Sequence, residues 1–491
     1  MTIRHFHRNF CAFLIAIMAI ALLCTNYKGQ IVFAEKQDNL ERKAYLPLSK
    51  IGRNRYVLED DGFYRITTKG MKDKKEQNDR ISSESTKISE DAKISEDAKI
   101  KEDTKTSGEN NKKTIDDKTG SIVNSKIGND EILSLNGLEE QEEIAQQDET
   151  EQKATIMLTG DLMCLRAQQY GAMSKNTFQF NDSFSYVKKI FSNSDLVIGN
   201  LETLTSHSNY YTFEQKIMKD SPNCNAPATF LDALRYAGFD AVVTANNHCL
   251  DGGMTGIRET IEKLKEYHIA QVGTYLRNDV PRFLLYEVNG IKLGILSYTE
   301  YINFRYSLSS KDLNSTVNCY SKQAVERDVK EAKEAGAEYI IAYNHWGTEN
   351  TTEVTKLQQL HAMEMAEAGV DIILGSHPHC LQEAVYLKTS DNRKVLCMYS
   401  MGNFVSSMVS EANNDTIILR LEIVKVEGKV TLKQPGYYPL KVFSVYEKKR
   451  FVVVPTQKEF HNGKATTALE KAGKRIKNVL GKTMKEWKIE K

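Results

Sequence analysis

The chain has 491 residues, 27% of them charged, and a formal net charge of +1. At ~100–200 residues per domain, that length holds more than one unit. A balance this close to neutral gives no basis for a nucleic-acid partner or a basic membrane-binding face.

In chain order, Arg4, His5, His7 and Arg8 precede an apolar run from Cys11 to Cys24. That is the layout of an export leader, and the run is short of the ~20 residues a spanning helix needs. Val32-Phe33-Ala34 offers small-residue cleavage spacing. Residues 1–34 are thus a signal peptide or a retained anchor, and all that follows is expected outside the cytoplasm, secreted or membrane-anchored. Residues 35–71 hold two short apolar runs around Asp60-Asp61-Gly62, a hairpin pattern. Residues 72–153 are low in complexity, with Lys-Ile-Ser-Glu-Asp-Ala at Lys87–Ala92 and again at Lys93–Ala98. Such a stretch cannot offset chain entropy by burial and is expected to be a disordered tether.

From Thr155 the texture changes to apolar runs alternating with helical patterns, the sign of sheets covered by helices. The expected strands are Thr155–Thr159, Leu196–Ile198, Ala241–Thr244, Lys292–Ser297, Tyr339–Tyr343, Asp371–Leu374 and Val395–Tyr399. The expected helices are Ser183–Phe191, Pro227–Ala237, Thr255–Tyr267 and Glu353–Ala368, the last with Leu357, Leu360 and Met365 on its apolar face. Glycines Gly238 and Gly369 stop two of them. A folded domain over 154–446 is followed by a C-terminal segment, 447–491, with a strand and a basic helix, Thr467–Leu480. Ile417–Val426, Val430–Leu432 and Leu440–Tyr446 read as edge strands completing a second sheet.

Polar residues recur at the strand exits: Gly160-Asp161, Asn200 with Glu202, Asn246-Asn247-His248 with Asp251, His345 with Glu349, His377 with His379, and Ser400 with Asn403. Six such clusters would meet on one rim of one sheet, where open α/β sheets place ligands. Carboxylate, carboxamide and imidazole together are the donor set of a divalent ion such as Mn, Fe or Zn. Taken singly, each residue has a plainer reading: Asp161 as a helix cap, His345 as a packed ring beside Trp346, Ser400 and Asn403 as loop formers. His207, His268 and His361 read as structural or solvated. The eight cysteines form no C-x-x-C pair and read mostly as buried thiols; Cys249 and Cys380, each following a candidate histidine, are the two placed to act as soft ligands.

The segments TGDLM, GNLET, TANNHCLDGG, YNHWGTE, GSHPH and YSMGNF, found in this order, resemble the CapA family of capsule-synthesis proteins, relatives of the calcineurin-like metallophosphoesterases. The resemblance implies an α/β fold, a four-layer α/β/β/α sandwich of two mixed sheets. It implies one or two divalent ions, roughly 3.5–4 Å apart where both are present. Carried over by position, Asp161 and His379 serve the first ion, Asn247, His345 and His377 the second, and Glu202 stands near the bridging carboxylate. His248 matches the catalytic general acid. Asn200, Glu349, Ser400 and Asn403 would position substrate. Met163 stands where the phosphoesterase pattern has a histidine, and a thioether is a poor ligand for a hard cation; Glu349 and Asp251 are the candidate replacements. The implied role is synthesis, export or attachment of an anionic capsule polymer such as poly-γ-glutamate. The alternatives are an extracytoplasmic hydrolase of phosphoesters or γ-glutamyl amides, and a non-catalytic scaffold partnering a membrane polymer synthase.

Overall fold

Alternation along one strand explains the layering. In β1 (Gln152–Leu162), Ala154, Ile156 and Leu158 enter one apolar core while Met157 enters another, which Leu162 joins past a register shift between Leu158 and Asp161. Successive side chains of a strand point to opposite faces, so a strand buried on both sides must lie between two packed layers. The computed structural model describes residues 55–58, 64–67, 151–215 and 223–489. The expected leader, the expected tether and the residues joining them lie outside the described residues, apart from an antiparallel pairing of Arg55–Leu58 with Tyr64–Thr67 and from 151–153, where Gln152 and Lys153 belong to β1 and not to the tether.

Eleven further strands carry the frame: β2 (Leu196–Leu201), β3 (Ala241–Val243), β4 (Ala270–Val272), β5 (Leu284–Val288), β6 (Ile291–Thr299), β7 (Tyr339–His345), β8 (Ile372–Ser376), β9 (Ala384–Lys388), β10 (Lys394–Met398), β11 (Asn403–Val405) and β12 (Asp415–Val426). After them come β13 (Lys429–Leu432), β14 (Gly436–Tyr446), β15 (Lys449–Pro455) and β16 (Lys485–Glu486). One sheet runs β15-β14-β12-β1-β2-β3-β4, with β11 paired to β1, β13 to β12 and β16 to β14. The other runs β9-β10-β8-β7-β6-β5. Both are mixed: β1 through β4 are parallel while β12 is antiparallel to β1, and β6, β7, β8 and β10 are parallel while β5 and β9 are antiparallel at the edges.

The inner core draws on both sheets: Ile156, Leu158, Leu196, Ile198 and Leu419 from one, Leu293, Ile341, Ile372, Leu374 and Leu396 from the other. Helix α1 (Thr229–Ala237) covers the outer face of the first sheet through Phe230, Leu231 and Leu234. Helix α2 (Gly253–Glu266) joins it there through Leu264. Helices α3 (Lys322–Glu334) and α4 (Lys356–Ala368) cover the second through Val325, Val329, Ala362 and Met365. The result is a four-layer α/β/β/α sandwich. A fifth helix, α5 (Thr467–Leu480), packs Ile476 and Leu480 into the inner core.

Three expectations are corrected. The six polar clusters do not share one sheet: Asp161, Asn200 and Asn247 belong to the first, His345 and His377 to the second. Ile417–Val426 is no edge strand, since β12 lies between β1 and β14. Helix α4 leaves Leu357 and Leu360 about half exposed and buries Gln358 instead. Gln358 closes a capping box with Thr355 and donates to Oε1 of Gln382 at 2.8 Å. That network turns the first helical turn and takes the leucines outward.

Candidate metal centre

The parallel strands of both sheets deliver their exits to the same seam. Strand β1 ends in Gly160-Asp161. A side chain at Gly160 would place its Cβ 1.9 Å from the Gly402 carbonyl oxygen, so only glycine allows this approach. Asp161 N–H then donates to the same carbonyl at 2.9 Å, which fixes the carboxylate. Its Oδ1 accepts from Asn200 Nδ2 at 2.8 Å, while Oδ2 is buried with no hydrogen bond from the described residues. Asn246 Nδ2 donates to Asn200 Oδ1 at 3.2 Å and to the Leu201 carbonyl at 2.8 Å.

From the other sheet, β8 ends at Ser376 and the chain turns through His377-Pro378-His379. Both histidines have left-handed φ, 92° and 57°, a conformation that costs a non-glycine residue about 1–3 kcal/mol and clusters at functional sites. His379 Nδ1 lies 2.9 Å from Asn403 Oδ1 and 3.3 Å from Asp161 Oδ2. Both neighbours are acceptors, so Nδ1 carries the proton and Nε2 is left as a free lone pair, 3.9 Å from Glu202 Oε1. Ser376 Oγ lies 2.8 Å from Nδ1 of His345; by accepting from that nitrogen it would leave Nε2 as a lone pair for an ion.

Around His345 Nε2 the acceptors converge: Asn247 Oδ1 at 3.0 Å, His377 Nδ1 at 3.1 Å and Glu202 Oε1 at 3.5 Å. Two ligand-competent groups result, Glu202-His345-His377 and Asp161-Glu202-His379, each with donor atoms within 4.8 Å of one another. Glu202 belongs to both. It is fully buried, and neither of its oxygens accepts a hydrogen bond from the described residues. An unpaired buried carboxylate is costly unless a cation meets it. Burial, and next the Asp161 charge, push the Glu202 carboxyl well up. Burial and the neighbouring imidazoles hold His345 far below its ordinary value and His377 down at about 3. Neutral imidazoles with lone pairs toward orphaned carboxylates fit a divalent ion in this seam.

His248 stands beside this centre. Its Nδ1 lies 2.7 Å from Asp251 Oδ2. Burial alone would lower the imidazole, but Cys224 and Asp251 outweigh it and raise the ring well above the usual range. The Asn303 side chain reaches to 3.5 Å of the same nitrogen, and Asn303 N–H donates to the Asn247 carbonyl at 2.9 Å.

The structure gives other placements than expected to several residues. Asn200, Ser400 and Asn403 are fully buried and face inward: Asn200 to Asp161, Asn403 to His379, and Ser400 Oγ to the Gly402 N–H at 3.2 Å. They support ligand candidates rather than line a substrate surface. Glu349 is exposed and belongs to neither ligand group. Asp251 is held by His248 and by the Cys224 N–H at 2.6 Å, so neither takes the place left by Met163. Cys249 packs in an apolar cluster, and Cys380 Sγ accepts from Asn413 Nδ2 at 3.4 Å; neither joins the centre. His361 pairs with Glu300 at 2.6 Å. Sequence reasoning missed Ser376, Cys224, Asn303 and Tyr301, whose ring stacks on His377 at 4.8 Å between centroids. Tyr301 and Asn303 sit in the loop after β6, where no periodicity marks them.

The class this defines is a four-layer α/β/β/α sandwich with buried carboxylates and imidazoles gathered on its seam. The chain belongs to the family described as bacterial capsule synthesis protein PGA_cap, which matches residues 155–408. It is similar to the capsule biosynthesis protein CapA of Bacillus anthracis, 27% identical over 278 residues, 55% of this chain and 64% of that one. It is also similar to the PGA biosynthesis protein CapA of Bacillus subtilis (strain 168), 28% identical over 250 residues, 49% of this chain and 61% of that one. The chain thus spans less than two thirds of either relative. Among solved structures, the Haemophilus influenzae NAD nucleotidase NadN aligns with TM-score 0.38 and 12% identity, over 67% of this chain and 60% of that one. The calcineurin-like phosphoesterase YfkN from Bacillus subtilis aligns with TM-score 0.36 and 12% identity, over 67% of this chain and 98% of that one.

Proposed function

We propose that this chain acts outside the cytoplasm in making, exporting or attaching an anionic capsule polymer such as poly-γ-glutamate, through a divalent-metal centre. The polymer or its membrane synthase is the partner, and the N-terminal segment is the tie to the membrane. Asp161, Glu202 and His379 would hold one ion; Glu202, His345, His377 and Asn247 would hold a second, of Mn, Fe or Zn. The observation that carries this reading is Glu202, a buried carboxylate without a hydrogen bond from the described residues, facing lone pairs from both sheets.

Ions bound there supply a Lewis acid and a water ionised near neutral pH. The chain's own residues do the rest. Asn403 holds the His379 tautomer that leaves Nε2 bare, and Ser376 Oγ would accept from His345 Nδ1 when Nε2 serves as a ligand. Asn200 orients Asp161 through Oδ1. Asp251 aligns His248, which holds a proton for a departing oxygen or nitrogen.

That His248–Asp251 pair favours a second reading, a metal-dependent hydrolase of phosphoesters or γ-glutamyl amides. A scaffold needs no aligned proton donor.

The test is a deletion strain of the native host, complemented with the parent chain or His377→Ala, with surface polymer quantified and metals counted in the purified protein. Loss of polymer in the deletion, restored only by the parent, is expected, with bound metal in the parent and less in the variant. Unchanged polymer in the deletion sinks the capsule reading. Full restoration by a metal-free His377→Ala chain leaves the scaffold.

A further inference from the structure

Beside the Glu202 centre lies a cluster of different chemistry. Cys224 Sγ, a ring nitrogen of His248 and a carboxylate oxygen of Asp251 lie within 4.8 Å of one another. Zn–S of about 2.3 Å and Zn–N or Zn–O of about 2.0–2.2 Å space tetrahedral donors ~3.3–3.8 Å apart, so the 2.7 Å contact of His248 Nδ1 with Asp251 Oδ2 would open slightly to admit an ion. All three side chains are deeply buried: His248 is 7% and Asp251 1% exposed. Cys224 has no exposed surface at all.

Two observations separate this cluster from a buried thiol that happens to sit near a histidine. First, Asp251 Oδ2 is occupied by His248 and the Cys224 N–H, yet Oδ1 is buried with no hydrogen bond from the described residues. A carboxylate oxygen left bare in the interior calls for a partner, and a cation is one that fits its charge. Second, the backbone that carries the thiol is held in place. The Cys224 carbonyl accepts from Leu204 N–H at 3.0 Å. The neighbouring Asn225 side chain donates to the Ser206 and Asn209 carbonyls at 2.8 and 3.0 Å and accepts from Ser206 N–H at 2.8 Å. Asp251 in turn is fixed to His248 by its own N–H, 3.2 Å from the His248 carbonyl. The described thiols Cys164, Cys249, Cys319, Cys380 and Cys397 join no such group.

We propose that Cys224, His248 and Asp251 form a separate site for a thiophilic divalent cation, Zn²⁺ being the fitting class. The set is softer than the oxygen- and nitrogen-only Glu202 centre, so the two sites select differently. Binding forms one sulfur, one nitrogen and one oxygen bond to the ion and releases the thiol proton to solvent. An ion held there occupies His248. On the reading of His248 as the proton donor, it therefore silences the centre without displacing the ions at Glu202.

The experiment is a Co²⁺ titration of the full purified chain, followed by thiolate-to-cobalt charge-transfer absorption, which the Glu202 centre cannot produce because it has no sulfur. The band is expected in the parent chain, retained in His377→Ala, lost in Cys224→Ser and at least tenfold weaker in Co²⁺ affinity in Asp251→Asn. Circular dichroism checks that Cys224→Ser is folded; if it is not, His248→Gln takes its place and must also lose the band. Absence of the band in the parent, or its persistence in Cys224→Ser, overturns the site. A His377→Ala chain that keeps all its other metal would count against the Glu202 centre and leave this result untouched.

Discussion

Nε2 of His345 lies 3.0 Å from Oδ1 of Asn247, across 98 residues of sequence and from one sheet to the other. With Ser376 donating to Nδ1, His345 Nε2–H donates to that Asn247 oxygen; with Ser376 accepting from Nδ1, a lone pair faces a lone pair. The second arrangement is the one a bound ion would select, because two acceptors this close in a buried seam repel unless something positive lies between or beside them.

Metal removal follows from that geometry. A chelator should lower the thermal midpoint of the parent chain, by the equivalent of about 2.7 kcal/mol if the ion was at a hundred times its Kd. Glu202→Gln should lose this chelator sensitivity. In chelator it should also melt above the chelated parent, because its amide leaves no buried charge, a gain of about 1–3 kcal/mol. Calorimetry with and without chelator reads both effects, and a midpoint that chelator leaves unmoved in the parent counts against the centre.

Asn403 never touches an ion in this scheme, yet it sets the His379 tautomer. Asn403→Ala should weaken metal affinity about 10–100-fold, as loss of such an orienting partner does elsewhere. His379→Ala should weaken it further. Competition with a fluorescent chelator measures the series, and equal affinity for Asn403→Ala and parent would refute the tautomer argument.

Gly375 sits under two walls. A Cβ there would lie 1.8 Å from the Tyr399 carbonyl oxygen and 2.3 Å from Trp346 Nε1. Gly375→Ala should therefore cost about 1–3 kcal/mol or more through forced displacement of backbone, read as a shift in the urea midpoint. A neutral outcome would mean that β8 and β10 slide apart more easily than their packing suggests.

A pH dependence should come from Glu259, away from the centre. Burial raises its carboxyl, but hydrogen bonds from Ser206 and Ser208 outweigh this and leave it below the ordinary value. A lowered folded value means stability that is present above the unfolded value of about 4.3 and lost as pH falls through the folded one. Glu259→Gln should cost about 1–3 kcal/mol at neutral pH, and the gap to the parent should close on acidification. Melting curves across that range would show it, and a gap independent of pH would contradict it.

Much of this architecture was legible in the chain itself. Apolar runs such as Asp371–Leu374 announced strands buried on both faces, and polar residues at their exits marked the seam. Helix stops at Gly238 and Gly369 carry left-handed φ of 114° and 106°, as glycine after a helix suggests. What stayed hidden was assignment between layers. A strand buried on both sides carries no mark of which sheet it joins, so exits that belong to two sheets read as one rim. Gln358 was invisible because its burial depends on Gln382 and Tyr399, far along the chain. Tyr301, Asn303 and Cys224 reach the centre from loops, where position is set by tertiary contacts rather than by any local pattern.

Between β10 and β11 the chain leaves one sheet at Met398 and enters the other at Asn403. On the way Met401 N–H bonds the Gly375 carbonyl and the Gly402 carbonyl takes the Asp161 N–H. This short strap stitches the two halves of the seam together covalently, right beside the donors it serves. An ion bound as proposed would meet a socket whose width the chain has already set, and would spend little of its binding energy on rearranging the walls.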